Sequence, residues 1–110
     1  MSLYKCSICN LVLESDEPIE VCPKCGAKKE RIVELSEEVQ QKIYAADKTN
    51  ALLASLIALS DQILDVAKQG IDINLDPGCL KAFQHAKNEA YSIRQFAKAE
   101  IETHVKKEKF

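Results

Sequence analysis

Cys6-Ser-Ile-Cys9, a gap of twelve residues, and then Cys22-Pro-Lys-Cys25-Gly26 is the stretch that decides how this chain folds. Each Cys-x-x-Cys pair puts two sulfurs on one tight turn, with backbone N–H groups free to point at them. Such donors stabilise thiolate charge, so each pair is half of a site for one tetrahedral metal ion. A lone pair could be a redox disulfide; two pairs at this spacing, each on a predicted turn, point to metal. The candidate ligands are therefore Cys6, Cys9, Cys22 and Cys25. The competing reading, two small disulfides in a secreted peptide, is disfavoured by the start MSLYKC, which lacks the apolar run of a signal peptide.

Working outward, residues 1–35 hold those four cysteines, Pro18, Pro23, Gly26 and only short apolar stretches. Leu11-Val12-Leu13 and Ile32-Val33 read as short strands, and Tyr4 opens another. A segment this small buries too little surface to fold on apolar contacts alone, so a metal must supply much of its stability. From residue 36 the pattern turns helical. Ser36 is an N-cap, and Glu37 and Glu38 suit the positive end of the helix dipole. Val39, Ile43, Ala46, Asn50, Leu53, Ile57, Ser60, Leu64 and Ala67 recur in steps of three and four, one face of a helix over 36–69. Gly70 is expected to stop it at the C′ position. Asp76-Pro77 then starts a second helix over 77–107, with Asp76 as cap and Pro77 in the first helical position. Its expected inner face is Phe83, Ala86, Ala90, Ile93, Ala97, Ile101 and Val105.

The expected fold is thus a small metal-stabilised β domain, residues 1–35, followed by a long antiparallel α-helical hairpin, residues 36–110. From Leu52 onward, Leu52, Leu56, Leu59, Ile63 and Val66 widen the apolar stripe of the first helix beyond the arc of about 100° that one partner covers. The excess calls for a second cover. A homodimer that closes into a four-helix bundle is the economical one, and the metal domain folded back over the patch is the alternative.

The 110 residues carry a net charge of −2, 46% apolar and 29% charged side chains, so bulk electrostatics do not favour nucleic acid. Lys24, Lys28, Lys29 and Arg31 form a basic cluster, but acidic residues surround it and stacking aromatics are scarce. No continuous apolar run approaches the roughly 20 residues that span a bilayer. Free thiolates, and Cys79 left over beside the four, point to a reducing, cytoplasmic setting. Cys79 falls in the first turn of the second helix, where the dipole lowers a thiol pKa, although a quiet, partly buried cysteine is the plainer reading. Asp72-Ile-Asn74-Leu-Asp76 imitates the start of a calcium loop, but Pro77 occupies the required glycine position and Phe83 that of the bidentate glutamate. No nucleophile–base pair, phosphate loop or cofactor motif is present, so the expectation is no catalytic residue and no enzyme activity of the chain by itself.

Over residues 4–35 the sequence resembles the short rubredoxin-like domain of rubrerythrins. The resemblance is carried by Tyr4-x-Cys6-x-x-Cys9, the acidic loop from Glu14 to Glu20, and Val21-Cys22-Pro23-x-Cys25-Gly26-Ala27. The order, cysteine domain first and helices after, is similar to reverse rubrerythrins. Where the family usually has Gly-Tyr after the first knuckle, this chain has Asn10-Leu11; Asn tolerates the left-handed conformation of the Gly, so the knuckle can still form. Rubrerythrin bundles also hold two irons through carboxylates and Glu-x-x-His motifs, and this chain has no Glu-x-x-His. His85 with Glu89 and His104 with Glu100 share an arc toward the edge of the apolar stripe, which reads as a solvated flank, with a second metal site as the sharper alternative. The resemblance implies one iron per chain, Fe(2+/3+), in a one-electron carrier serving a redox protein partner. Ile8 and Lys24 lie near the centre, and Glu14, Asp16, Glu17 and Glu20 are candidates for steering that partner, or simply a solvated turn. The alternative is a structural zinc ribbon whose hairpin mediates oligomerisation or protein binding. Nucleic acid and membrane are not expected partners.

Overall fold

The computed structural model describes residues 1–110, and the chain divides into two compact units, Met1–Tyr44 and Ala45–Phe110. The first is a three-stranded antiparallel sheet in the order β2-β1-β3, with β1 at Ser2–Cys6, β2 at Val12–Ser15 and β3 at Ile32–Glu34. Tyr4 pairs with Leu13 on one side and with Glu34 on the other. The strands expected around Tyr4, Leu11–Leu13 and Ile32–Val33 are all present. A 3-10 turn, Lys29–Arg31, leads into β3. Side chains alternate across a strand, so Tyr4 and Cys6 share one face of β1 and Leu3 takes the other; all three are buried. Tyr4, Leu13, Ile19, Pro23 and Ile32 close around Cys6 and Cys22. This core is built on sulfur as much as on carbon.

Helix α1, Glu37–Ile73, begins where the sequence predicts: the Ser36 hydroxyl accepts from the Val39 N–H at 3.3 Å, and the Gln40 side chain donates to the Leu35 carbonyl at 2.7 Å. The first turns of α1 belong to the sheet unit, where burial, and then the neighbouring Glu14 carboxylate, push the Tyr44 phenol pKa up. The expected stop at Gly70 is incorrect. The helix runs through Gly70 to Ile73, and Asn74, at φ 47°, makes the left-handed turn while its N–H returns to the Gly70 carbonyl at 3.2 Å. Gly70 serves packing: the Phe83 ring occupies the space a Cβ would take. Helix α2 spans Pro77–Lys106, and the Asp76 carboxylate accepts from the Cys79 N–H at 2.7 Å, as its capping role requires.

Asn50 meets His104, Asp61 meets Arg94 and Gly70 meets Phe83, so numbers rise along α1 as they fall along α2: the hairpin is antiparallel. The seam on α1 follows the expected stripe, with Ala46, Asn50, Ser60, Leu64, Ala67 and Gly70 buried. On α2 the expected face is wrong in two places. Ile93 and Val105 are exposed, and Arg94 and His104 turn toward α1 instead. The packed residues of α2 keep the coiled-coil rhythm of threes and fours through Ala90, Arg94, Ala97, Ile101 and His104, which carries polar side chains into the seam. By length and composition α1 is apolar enough to cross a membrane. Yet Asp61 within it pairs with Arg94, and the α2 alongside carries charges throughout its length.

Candidate metal centre

The two cysteine pairs fold into nearly equivalent knuckles. In the first, the Cys6 N–H donates to the Leu11 carbonyl and the Asn10 N–H to the Cys6 carbonyl, each at 2.9 Å. In the second, Cys22 N–H donates to the Ala27 carbonyl and Gly26 N–H to the Cys22 carbonyl, again at 2.9 Å. Each loop turns on a left-handed residue after its second cysteine, Asn10 at φ 66° and Gly26 at φ 77°. Asn10 therefore adopts the conformation expected of it. β1 and β2 hold the first knuckle between them, and a bridge between Val21 and Lys28 clamps the second.

The four sulfurs lie within 4.8 Å of one another. The short approaches run between knuckles, Cys6 to Cys25 and Cys9 to Cys22, both at 3.6 Å. A disulfide needs about 2.05 Å. A tetrahedron with metal–sulfur bonds of about 2.3 Å needs roughly 3.8 Å between sulfurs. The spacing fits one tetrahedral ion, and all five cysteines are free thiols.

Backbone donors prepare the charge. The N–H groups of Cys9 and Ile8 point at the Cys6 sulfur and hold its pKa down against the cost of burial. Those of Cys25 and Lys24 do the same for Cys22, which falls to about 6. The Ala27 N–H also favours a thiolate at Cys25, but loss of water on the cage side of its sulfur, although the residue is exposed at the rim, and the crowding sulfurs of Cys6, Cys22 and Cys9 overcome it and push that thiol up to about 12. Four sulfurs this close cannot all ionise without a cation, which is itself a sign that the cage is shaped for one.

The first cysteine of each knuckle faces inward and the second faces out: Cys6 and Cys22 are buried, Cys9 is half-buried and Cys25 is exposed. Cys25 opens into a shallow depression with Ile8, Gly26, Ala27, Lys28, Glu30 and Arg31. Ile8 sits at the surface of the cage as expected, and Lys24 is exposed. The acidic loop is partly engaged with its own chain. Asp16 lies 3.7 Å from the N-terminal amine, Glu20 lies 3.9 Å from Lys29, and Glu14 lies near enough to Tyr44 for its charge to raise the phenol pKa.

The remaining candidates are placed as follows. His104 Nδ1 meets Asn50 Oδ1 at 2.5 Å and its Nε2 lies 3.3 Å from Glu100, while Asn50 also donates to the Lys109 carbonyl at 2.8 Å. His104 thus pins α2 to α1. His85 and Glu89 are not brought into that group; the convergent set of metal-ligand side chains is the four cysteines. Asp72 is helical, Asn74 turns the chain and Asp76 caps α2, which gives each acidic or amide residue of the calcium-like stretch a local role. The expected dipole effect on Cys79 is reversed, because its hydrogen bond to Asp76, that carboxylate's charge and burial push the thiol pKa up. The clustering of Asn50 with His104 was missed in the sequence, since their meeting depends on which way α2 is rotated.

With this geometry in place, the comparison with known families gives one match: residues 4–32 match the rubrerythrin, rubredoxin-like domain. No curated protein and no solved structure matches the chain. The head is therefore a rubredoxin-like domain with four cysteines positioned to bind a metal, and two long helices follow it.

Proposed function

We propose that the protein is a one-electron carrier, holding one iron in the thiolates of Cys6, Cys9, Cys22 and Cys25, on a helical hairpin that pairs with a second copy of the chain. The carrying observation is the closed four-sulfur cage with Cys25 exposed at its rim. Iron in such a cage exchanges one electron with little change in geometry. All four positions are taken by protein sulfur, so the site suits relay and not turnover of a bound molecule. The N–H donors from Ile8, Cys9, Lys24 and Cys25 point at sulfur and tune the potential. A redox protein approaching the open side meets Ile8 and Cys25 first, with Lys28 and Arg31 beside them. The free thiols fit a reducing, cytoplasmic compartment.

Zinc fits the same cage and would make the head purely structural. The specific observation favouring that reading is the broad exposed apolar face of the hairpin, which could be the working surface. The test is metal content and the visible spectrum of protein purified without added metal from cells supplied with both ions. About one iron per chain, with thiolate-to-ferric bands that bleach on reduction, is the expected result. One zinc and no colour, persisting after reconstitution with iron, would reject the carrier.

A further inference from the structure

The two sides of the hairpin seam differ sharply. On one side the groove beside α2 is lined by Ile57, Gln95, Lys98, Ala99, Ile101 and Glu102, half of them polar or charged. On the other it is lined by Leu53, Leu56, Ser92, Ile93, Phe96 and Ala97. Leu52, Leu56, Leu59, Ile63 and Val66 of α1 stand one residue before the seam positions, so they fall on this second side. Each is between 42% and 59% exposed. Ile93 and Phe96 hold the matching positions on α2, with Phe96 78% exposed. A monomer rarely leaves more than a few hundred Å² of contiguous apolar surface in water. This face belongs to both helices, whereas the sequence pattern shows only the share on α1.

The arrangement of the face selects its occupant. On α1 the apolar residues lie symmetrically about Leu59: Leu52 and Val66 are seven residues to either side, with Leu56 and Ile63 between. On α2 the same strip reads Glu89, Ile93, Phe96, Glu100, two apolar residues closed at both ends by a carboxylate. The Asp61–Arg94 contact places the middle of that strip level with the middle of the α1 strip. Both strips are therefore close to palindromic about one level, which is what a two-fold axis across the helices requires. We propose that this face is covered by a second copy of the chain, with α1 packed antiparallel on α1 of the copy and Leu59 at the two-fold axis. This deepens the pairing stated above, and it rests on that reading only for the existence of a second copy.

In this geometry Leu52 meets Val66 of the copy, Leu56 meets Ile63, and Ile93 meets Phe96. The alternative two-fold, along the helices, lays the α1 leucines against α2 of the copy and buries Glu89 and Glu100 among them, at the cost of unpaired carboxylates. An antiparallel overlap centred on Leu59 runs from Ala45 to Ile73, all within the second compact unit. Two helices side by side over that length present a face about 20 Å wide and about 40 Å long. That is close to the roughly 800 Å² each partner loses in a stable complex.

The experiment is sedimentation of the full, metal-loaded chain from low to high micromolar concentration, beside Leu59→Glu and, as a second variant, Phe96→Lys. The wild type is expected to be a dimer. Each variant should weaken association about 100-fold or more, the effect of removing a hot spot, with the helical circular dichroism and the metal content unchanged. A folded monomer at high micromolar concentration overturns the proposal, as does a monomer that floats with phosphatidylcholine–phosphatidylglycerol vesicles. The orientation is read separately, with Leu59→Cys in a Cys79→Ser background and a short bismaleimide. Covalent dimer in high yield is expected, and a dimer that does not crosslink overturns the antiparallel pairing of α1. A colourless zinc-loaded dimer leaves this inference standing and removes the electron carrier; an iron-loaded monomer does the reverse.

Discussion

The two units of this chain solve the problem of a small core in opposite ways. The Met1–Tyr44 unit gathers Leu3, Tyr4, Cys6 and Cys22 into its interior, so half of those residues carry sulfur that a metal would tie together. The Ala45–Phe110 unit buries Ala46, Asn50, Ser60, Ala67, Gly70, Ala90 and Ala97, with Leu64 the one large side chain buried among them. Leu52, Leu56, Leu59 and Phe96 stay outside. A seam of small residues brings two backbones close but removes little apolar surface from water. In the reading proposed above, an ion completes the first unit and a second copy of the chain completes the second. Neither is finished by its own carbon core.

The largest test of that contrast is to remove the metal. Structural zinc in finger peptides contributes apparent free energies of about 10–16 kcal/mol, far more than a sheet of this size gains otherwise. Chelation, or Cys22→Ser, is expected to collapse the amide dispersion of residues 1–35 while the helical circular dichroism stays near its starting value. Loss of both together would show that the hairpin depends on the head. Acidity acts on the same unit, through Cys22. The ordinary thiol value is 9.0, and the N–H groups of the knuckle lower it to about 6 in the folded chain. A depressed pKa stabilises the folded form above the ordinary value and loses that contribution as pH falls through the lowered one. The small folded fraction of the head that remains without metal should therefore grow as pH rises from about 6 toward 9, read as exchange protection of the Lys24 and Cys25 amides, and be least below 6. Protection that is flat across that range would show that those amides do not hold the thiolate.

Within the hairpin the most sensitive position is Gly70. Replacing glycine by alanine inside a helix ordinarily gains about 1 kcal/mol. Here the new methyl meets the Phe83 ring, and overpacking of that kind costs about 1–3 kcal/mol. Gly70→Ala should thus lower the urea midpoint of the hairpin, and Phe83→Leu in the same chain should recover part of the loss. If Gly70→Ala stabilises, the ring is free to move and the seam is looser there than its contacts imply.

Gly70 also shows what could be read from the sequence and what could not. The cysteine spacing, the strands around it, the Ser36 and Asp76 caps and the seam of α1 were all legible, because each follows from local geometry. A glycine at the end of an apolar stripe reads equally well as a left-handed stop or as room for a neighbour, and only the position of Phe83 distinguishes them. The face of α2 failed for a related reason. Ile93 and Val105 are the natural inward choices on hydrophobicity, but inward residues are set by rotation of the helix, and Arg94 and His104 find Asp61 and Asn50 waiting. The reversal at Cys79 came from its own cap: Asp76 lies close enough for its charge to outweigh the helix dipole. In the candidate metal centre the four cysteines that converge were legible. The split into buried and exposed sulfurs, which decides where a partner approaches, was not.

The smallest expected effect lies in the difference between the two knuckles. They share the same hydrogen bonds and the same left-handed turn, but one uses Asn10 at φ 66° and the other Gly26 at φ 77°. A residue with a Cβ in this region costs about 1–2 kcal/mol, which Asn reduces and Gly avoids. Asn10→Gly should then be close to neutral, whereas Asn10→Ala should weaken metal retention in a chelator competition by about tenfold, the equivalent of about 1.4 kcal/mol. Nothing lies within 4 Å of a Cβ built on Gly26, so Gly26→Ala meets conformational strain without a clash. If the knuckles are equivalent, it should match Asn10→Ala in size. A much larger loss at Gly26 would locate the difference at its exposed neighbour Cys25, where the Ala27 N–H points at sulfur and a small shift of the turn would misdirect that donor.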